Sequence, residues 1–132
     1  MTDTRQTRHM QIGDLAAHIG TSPRALRHYE QEGLLAPARG HNGYRLYDAT
    51  DVVRAANIKN LLDAGLTTAD IGQYLDRGCL DRPLSSGPRC PSELDTAAAR
   101  LSQVDELLER LHRTRERLEG HVDEIEESIR IG

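Results

Sequence analysis

Residues 12–33 read IGDLAAHIGTSPRALRHYEQEG, and this stretch decides the fold. Ile12, Leu15, Ala16 and Ile19 recur at the spacing of one helix face, and Gly20 closes the run as a helix C-terminal glycine does. Ser22 is a good N-cap, Pro23 suits the first helical position, and Leu26, Tyr29 and Glu30 carry a second helix on to Gly33. Two short helices joined by Gly20-Thr21-Ser22 make a helix-turn-helix.

Downstream, Arg39-Gly40-His41-Asn42-Gly43-Tyr44-Arg45-Leu46-Tyr47 holds an Asn-Gly pair followed by alternating residues, a strong hairpin signal, so a wing is expected there. Asp48 or Thr50 then caps a third helix through Leu62, with Val52, Val53, Ala56 and Leu61 inward. A fourth runs from about Thr68 to Arg77, with Ile71, Tyr74 and Leu75 inward. Residues 78–91 hold three of the five prolines, two glycines and both cysteines, and read as a linker loop.

From about Ser92 onward, alternate steps of three and four pick out Leu94, Ala97, Leu101, Val104, Leu108, Leu111, Arg115, Leu118, Val122, Ile125 and Ile129. All of these but Arg115 are apolar. That is a coiled-coil seam sustained over about five heptads. A helix of such length has an apolar stripe that nothing else in the chain can cover, so the partner is a second copy and a homodimer is expected. Arg115 either specifies the register or snorkels out of the seam.

The organisation is thus a flexible N-terminal tail (1–9), a winged helix-turn-helix domain (10–77), a linker with two cysteines (78–91) and a dimerisation helix (92–132). The fold class is mostly α.

Composition agrees with a thin fold. The 132 residues are 29% charged and 37% hydrophobic, with no Trp, no Phe and four Tyr, too few bulky side chains for a wide core. The formal net charge of −4 hides a gradient. Residues 5–59 carry eight basic against five acidic groups, whereas residues 79–132 carry eight Arg against twelve acids. No run of about 18 apolar residues suggests a membrane span and the first residues lack a signal-peptide stretch, so a cytoplasmic location is expected. No Gly-rich phosphate loop or nucleophile–base set points to an enzyme.

The segment from Ile12 to Ile71 resembles the DNA-binding domain of MerR-type transcription regulators, most specifically in Arg27-His28-Tyr29-Glu30, in Gly33-Leu34-Leu35 and in the wing Gly43-Tyr44-Arg45-Leu46-Tyr47. The long helix is similar to the antiparallel dimerisation helix of that family, so the likeness covers about residues 10 to 130. It implies a dimeric regulator on double-stranded promoter DNA that bends and untwists an overlong promoter spacer when an effector arrives, so that RNA polymerase can use both promoter elements. Deforming bases that the protein never touches is a recognised source of specificity. The rival reading is an architectural or adaptor protein that binds DNA with no inducer.

On this resemblance Arg24, Arg27 and His28 face DNA from the second helix, where a planar bidentate donor reads guanine edges or holds phosphate. Tyr29 either joins them or packs beneath Leu26. Tyr44 and Arg45 lie on the wing along the phosphate backbone, while Tyr47 packs. Arg54 and Lys59, on the third helix, are expected phosphate contacts that position without reading sequence.

The effector rests on Cys79 and Cys90. Cys90 stands beside Arg89 and just before the long helix, and both a cation and a helix N-terminus favour a thiolate. A Cys79–Cys90 disulfide is sterically plausible. Position 90 also resembles the first cysteine ligand of metal-sensing relatives, which keep further ligands after the long helix. This sequence has no cysteine beyond Cys90. No cofactor is required on this reading. Cysteines without a sensory role stay open beside three inputs, namely response to thiol oxidation or electrophiles, a soft metal ion held by the same thiols, and a small organic ligand, and among these inputs the redox response leads.

Overall fold

The computed structural model describes residues 9–132; the expected tail, residues 1–9, lies outside the described residues apart from His9. Helix α1 (Ile12–Ile19) buries Leu15 and Ala16 and ends at Gly20, whose φ of 78° is left-handed and whose N–H donates to the Ala16 carbonyl. Helix α2 (Pro23–Gln31) starts with Pro23 in its first turn and with the Ser22 hydroxyl accepting the Ala25 N–H at 3.1 Å. The short Gly-Thr-Ser connection is therefore a C-terminal stop followed directly by an N-terminal start.

The wing is a two-stranded antiparallel hairpin of β1 (Ala38–Arg39) and β2 (Arg45–Leu46). The Gly43 N–H donates to the Gly40 carbonyl and the Gly40 N–H to the Tyr44 carbonyl, with Gly43 at φ 81°. Asn-Gly is thus the end of a three-residue turn with a glycine bulge, not a two-residue turn on its own. Beyond the wing, Tyr47 pairs its backbone with Met10 and is buried, as expected.

Helices α3 (Ala49–Asp63) and α4 (Thr68–Asp76) both begin with reciprocal capping boxes, Asp48 with Asp51 and Thr67 with Asp70. Each box satisfies backbone donors that the first turn leaves without helical partners. The core joins Leu15, Leu26, Tyr29, Tyr47, Ala55, Ile58, Ile71 and Tyr74.

Two expectations need correction here. The fully buried face of α3 is Ala55, Ile58 and Leu61, whereas Val52, Val53 and Ala56 are only half-buried. Apolar residues surround α3 on most sides, so periodicity does not choose its inner face. The segment 78–91, expected as a linker, packs onto the head. Leu80 is 0% exposed, and the Asn57 amide, itself buried, donates to the Leu80 and Arg82 carbonyls at 3.0 and 2.9 Å. One compact unit accordingly reaches Leu94.

The second unit, Asp95–Gly132, is the body of α5 (Pro91–Ile131). Forty-one helical residues at about 1.5 Å each span roughly 60 Å. Leu94, Leu101, Val104, Leu108, Leu111, Leu118, Val122, Ile125 and Ile129 are all exposed along it. Arg115, in the same seam, is exposed and pairs with Glu119 one turn on.

Candidate nucleic-acid interface

The face of α2 opposite the core presents Arg24, Arg27 and His28, all exposed, and with Ser22, Ala25 and Gln31 they line one shallow groove. The period of the helix explains this: Leu26 and Tyr29 turn inward three residues apart, leaving 24, 27 and 28 on the outside. Of the two readings of Tyr29, the structure takes packing. Its ring is 4% exposed, and burial pushes its phenol above the ordinary value while a hydrogen bond with Thr21 opposes that.

At the wing, Tyr44 is 61% exposed near the tip. Arg45, expected along the phosphate backbone, has an acidic partner. Its Nε lies 2.5 Å from Glu30 Oε1 on α2, and its side chain is three-quarters covered. Glu30 raises the Arg45 pKa further, chiefly through this hydrogen bond, so the guanidinium stays charged and committed. Arg39 completes the arrangement, bonding the Gly43 carbonyl at 3.1 Å and reaching the other oxygen of Glu30 at 3.4 Å. One carboxylate on the second helix thus holds two arginines of the wing.

The cations of α3 are paired as well. Arg54 Nε lies 2.8 Å from Asp81 Oδ1, and Lys59 Nζ lies 2.8 Å from Asp63 Oδ2. The hydrogen bond from Arg54 holds the Asp81 carboxyl below its ordinary range. Both cations are expected phosphate contacts, and the structure gives each an acidic neighbour, which the local spacing of Lys59 and Asp63 allows and the chain-distant Asp81 could not have announced.

Cys79 and Cys90 form a disulfide, with Cα atoms 5.9 Å apart. Glu93, 4% exposed, lies alongside. Its carboxylate accepts the Cys90 N–H at 3.0 Å and binds Arg89 through Nε at 2.9 Å and through Nη2. The Tyr74 hydroxyl donates to the Glu93 carbonyl at 3.0 Å. Arg89, expected to act on the Cys90 thiol, is thus directed to Glu93 instead. The two sulfurs and a Glu93 carboxylate oxygen all lie within 4.8 Å of one another.

Glu30, Arg39, Asn57, Asp81 and Glu93 received no role from the sequence. Only Glu30 carried a signal, inside the Arg27-His28-Tyr29-Glu30 string.

Residues 10–78 match the family model described as MerR HTH family regulatory protein, a little over half of the chain. The chain belongs to the MerR family. Among relatives of this MerR-family chain, the mercuric resistance operon regulatory protein of Bacillus cereus is 31% identical over 103 residues, covering 77% of this chain and 74% of that protein. Nodulation protein NolA of Bradyrhizobium sp. (strain NC92) is 36% identical over 74 residues, or 55% of this chain, and the match spans only 31% of NolA. The transcription regulator PbrR691 from Ralstonia metallidurans CH34, solved in complex with lead(II), superimposes with a TM-score of 0.66 at 28% identity over 83% of this chain and 81% of that one. The winged helix-turn-helix followed by a long helix is therefore the family's fold, and the chain is a DNA-binding transcription regulator. Among the described residues, no helix is long and apolar enough to cross a membrane.

Proposed function

We propose that two copies of this chain pair through α5 and grip promoter DNA with the exposed Arg24, Arg27 and His28 of α2 and with Tyr44 of the wing, distorting the spacer between the elements that RNA polymerase reads. Arg54 and Lys59 contact phosphate from α3 once DNA competes with their acidic neighbours. The exposed seam of α5 supports the pairing, because nine large apolar side chains standing in water demand a cover. The protein acts in the cytoplasm.

The input is thiol oxidation or electrophile attack at Cys79 and Cys90. The observation that carries this reading is the disulfide itself: a bridge joining the end of the head to the first turn of α5, between half-buried cysteines that a small reagent can reach.

A soft metal ion at the same place is the second reading, favoured by the cluster of Cys79, Cys90 and Glu93 and by the mercuric and lead(II) associations of the two relatives named above. The thiolates of a reduced pair suit such an ion. Glu93 is already committed to Arg89 and the Cys90 N–H, so two sulfurs would carry the binding, which fits a monovalent soft ion.

A DNase footprint on the DNA upstream of the gene, with oxidised and reduced protein side by side, tests the proposal. Protection across one promoter spacer in both states, with hypersensitive cleavage at its centre in one state only, is the expected result. Identical footprints discard the thiol input and make metal titration the next step. Protection away from any spacer supports the architectural alternative.

A further inference from the structure

The Cys79–Cys90 bridge joins two helix ends of opposite polarity. Cys79 follows the C-terminus of α4: its N–H donates to the Tyr74 carbonyl at 3.0 Å, and its sulfur lies 3.9 Å from the Arg77 carbonyl oxygen. The Tyr74 and Leu75 carbonyls there accept the Cys79 and Gly78 N–H groups, and this is the negative end of the helix dipole. Cys90 immediately precedes Pro91, the first residue of α5, so it stands at the N-terminal end of a 41-residue helix where backbone N–H groups point outward. A Glu93 carboxylate oxygen lies within 4.8 Å of both sulfurs, the same carboxylate accepts the Cys90 N–H at 3.0 Å, and Arg89 offsets its charge. The cleft over the bridge is lined by Arg82, Ser86 and Arg89 together with the two cysteines.

We propose that an anionic low-molecular-weight thiol opens this bridge by attacking Cys79, so that Cys79 becomes the mixed-disulfide site and Cys90 the departing thiolate. The inference rests on the thiol reading above and names the atom at which the small molecule enters. The attacking thiolate forms a new S–S bond to Cys79 Sγ while the Cys79–Cys90 bond breaks, its electron pair leaving on Cys90 Sγ. The external thiol is oxidised to the disulfide level and Cys90 is reduced. A second equivalent of the same thiol then frees Cys79, releasing the external disulfide. Exchange prefers the departing sulfur whose negative charge is better held, and that is the one at the start of α5 rather than the one among the carbonyls ending α4. Arg82, an exposed residue lining the cleft, selects for a carboxylate on the thiol.

The oxidised full chain is mixed with reduced glutathione, quenched early with iodoacetamide and digested without reductant for mass spectrometry. The expected product carries glutathione on Cys79 and the alkyl group on Cys90, in about tenfold excess over the reverse isomer. Glutathione mainly on Cys90, or an even division, overturns the assignment. At equal thiolate concentration mercaptoacetate is expected to open the bridge several-fold faster than cysteamine, with the gap narrowing in Arg82→Gln. An equal or inverted order overturns the charge selection. The two ideas fail separately. Footprints that differ between redox states together with an adduct on Cys90 sink this assignment alone, whereas an adduct on Cys79 with identical footprints supports the assignment and removes redox control.

Discussion

Arg45 Nε and Glu30 Oε1 lie 2.5 Å apart, so the second wing strand and the second helix of the helix-turn-helix are held by one ion pair, with Arg39 on the same carboxylate. The wing contributes only two paired residues per strand and cannot hold its own orientation. Anchoring it to α2 keeps Tyr44 at the tip in a constant relation to Arg24, Arg27 and His28.

Glu30→Ala discriminates this anchoring from simple electrostatics. Removing an acid raises the net positive charge of the head, which by itself tightens DNA binding. Loss of the anchor predicts several-fold weaker binding instead, measured by fluorescence anisotropy on a labelled duplex. The melting temperature should move little, because a partly exposed pair is worth about 0–1 kcal/mol.

Arg27→Ala and Arg45→Ala should differ in kind. Arg27 is exposed on the groove of α2, so its loss is expected to cost about 1–3 kcal/mol on the operator and to relax sequence preference if it reads a base. Arg45 is committed to Glu30, so its loss should weaken binding on every sequence with little change in the slope of log affinity against log salt. A salt slope that falls by about one per protomer in Arg45→Ala would return Arg45 to the phosphate contacts.

Asn57→Ala removes the amide that donates to the buried Leu80 carbonyl and to the part-buried Arg82 carbonyl. Unsatisfied buried acceptors cost roughly 1–3 kcal/mol, so thermal denaturation followed by circular dichroism should show a melting point lower by several degrees.

Asp81 is held below the ordinary aspartate range by Arg54. A depressed carboxyl pKa contributes stability that is complete above the unfolded value, about 3.9, and that is lost as pH falls through the folded value. Asp81→Asn should therefore narrow the stability gap between pH 7 and strongly acidic solution, and only slightly, because the pair is exposed. Urea titrations at the two pH values check this.

Leu108→Asp places a charge in the seam of α5. Sedimentation is expected to show monomers at concentrations where the parent chain pairs, and the helical signal should drop, because an isolated amphipathic helix loses the packing that sustains it.

The helices were largely legible because their punctuation is local. Ser22 with Pro23, Asp48 as a cap and Gly20 at the end of α1 are signals that the chain carries locally, whereas the reciprocal boxes closed by Asp51 and Asp70 emerged with the structure. The heptad of α5 is likewise written in consecutive turns. The inner face of α3 was not legible, since apolar residues on most of its circumference leave the choice to whatever packs against it.

The candidate interface divides along the same line. Arg24, Arg27 and His28, turned toward DNA by the family resemblance, stand outside because Leu26 and Tyr29 are inside, and the inward place of Tyr29, which the sequence left open, was decided by the core. Which cations are committed depended on residues far apart in the chain: Arg45 on Glu30, fifteen positions away, and Arg54 on Asp81, twenty-seven away. The two cysteines announced a reactive loop, yet only the folded chain decided that Leu80 and Asn57 dock that loop onto α3 and that its bridge spans a helix end and a helix start. Sequence alone determined the order of elements and the apolar seam, because propensity, caps and periodicity act over a few residues. Tertiary structure decided the pairing of charges and the polarity of the disulfide, because those depend on distances that close only when the core forms.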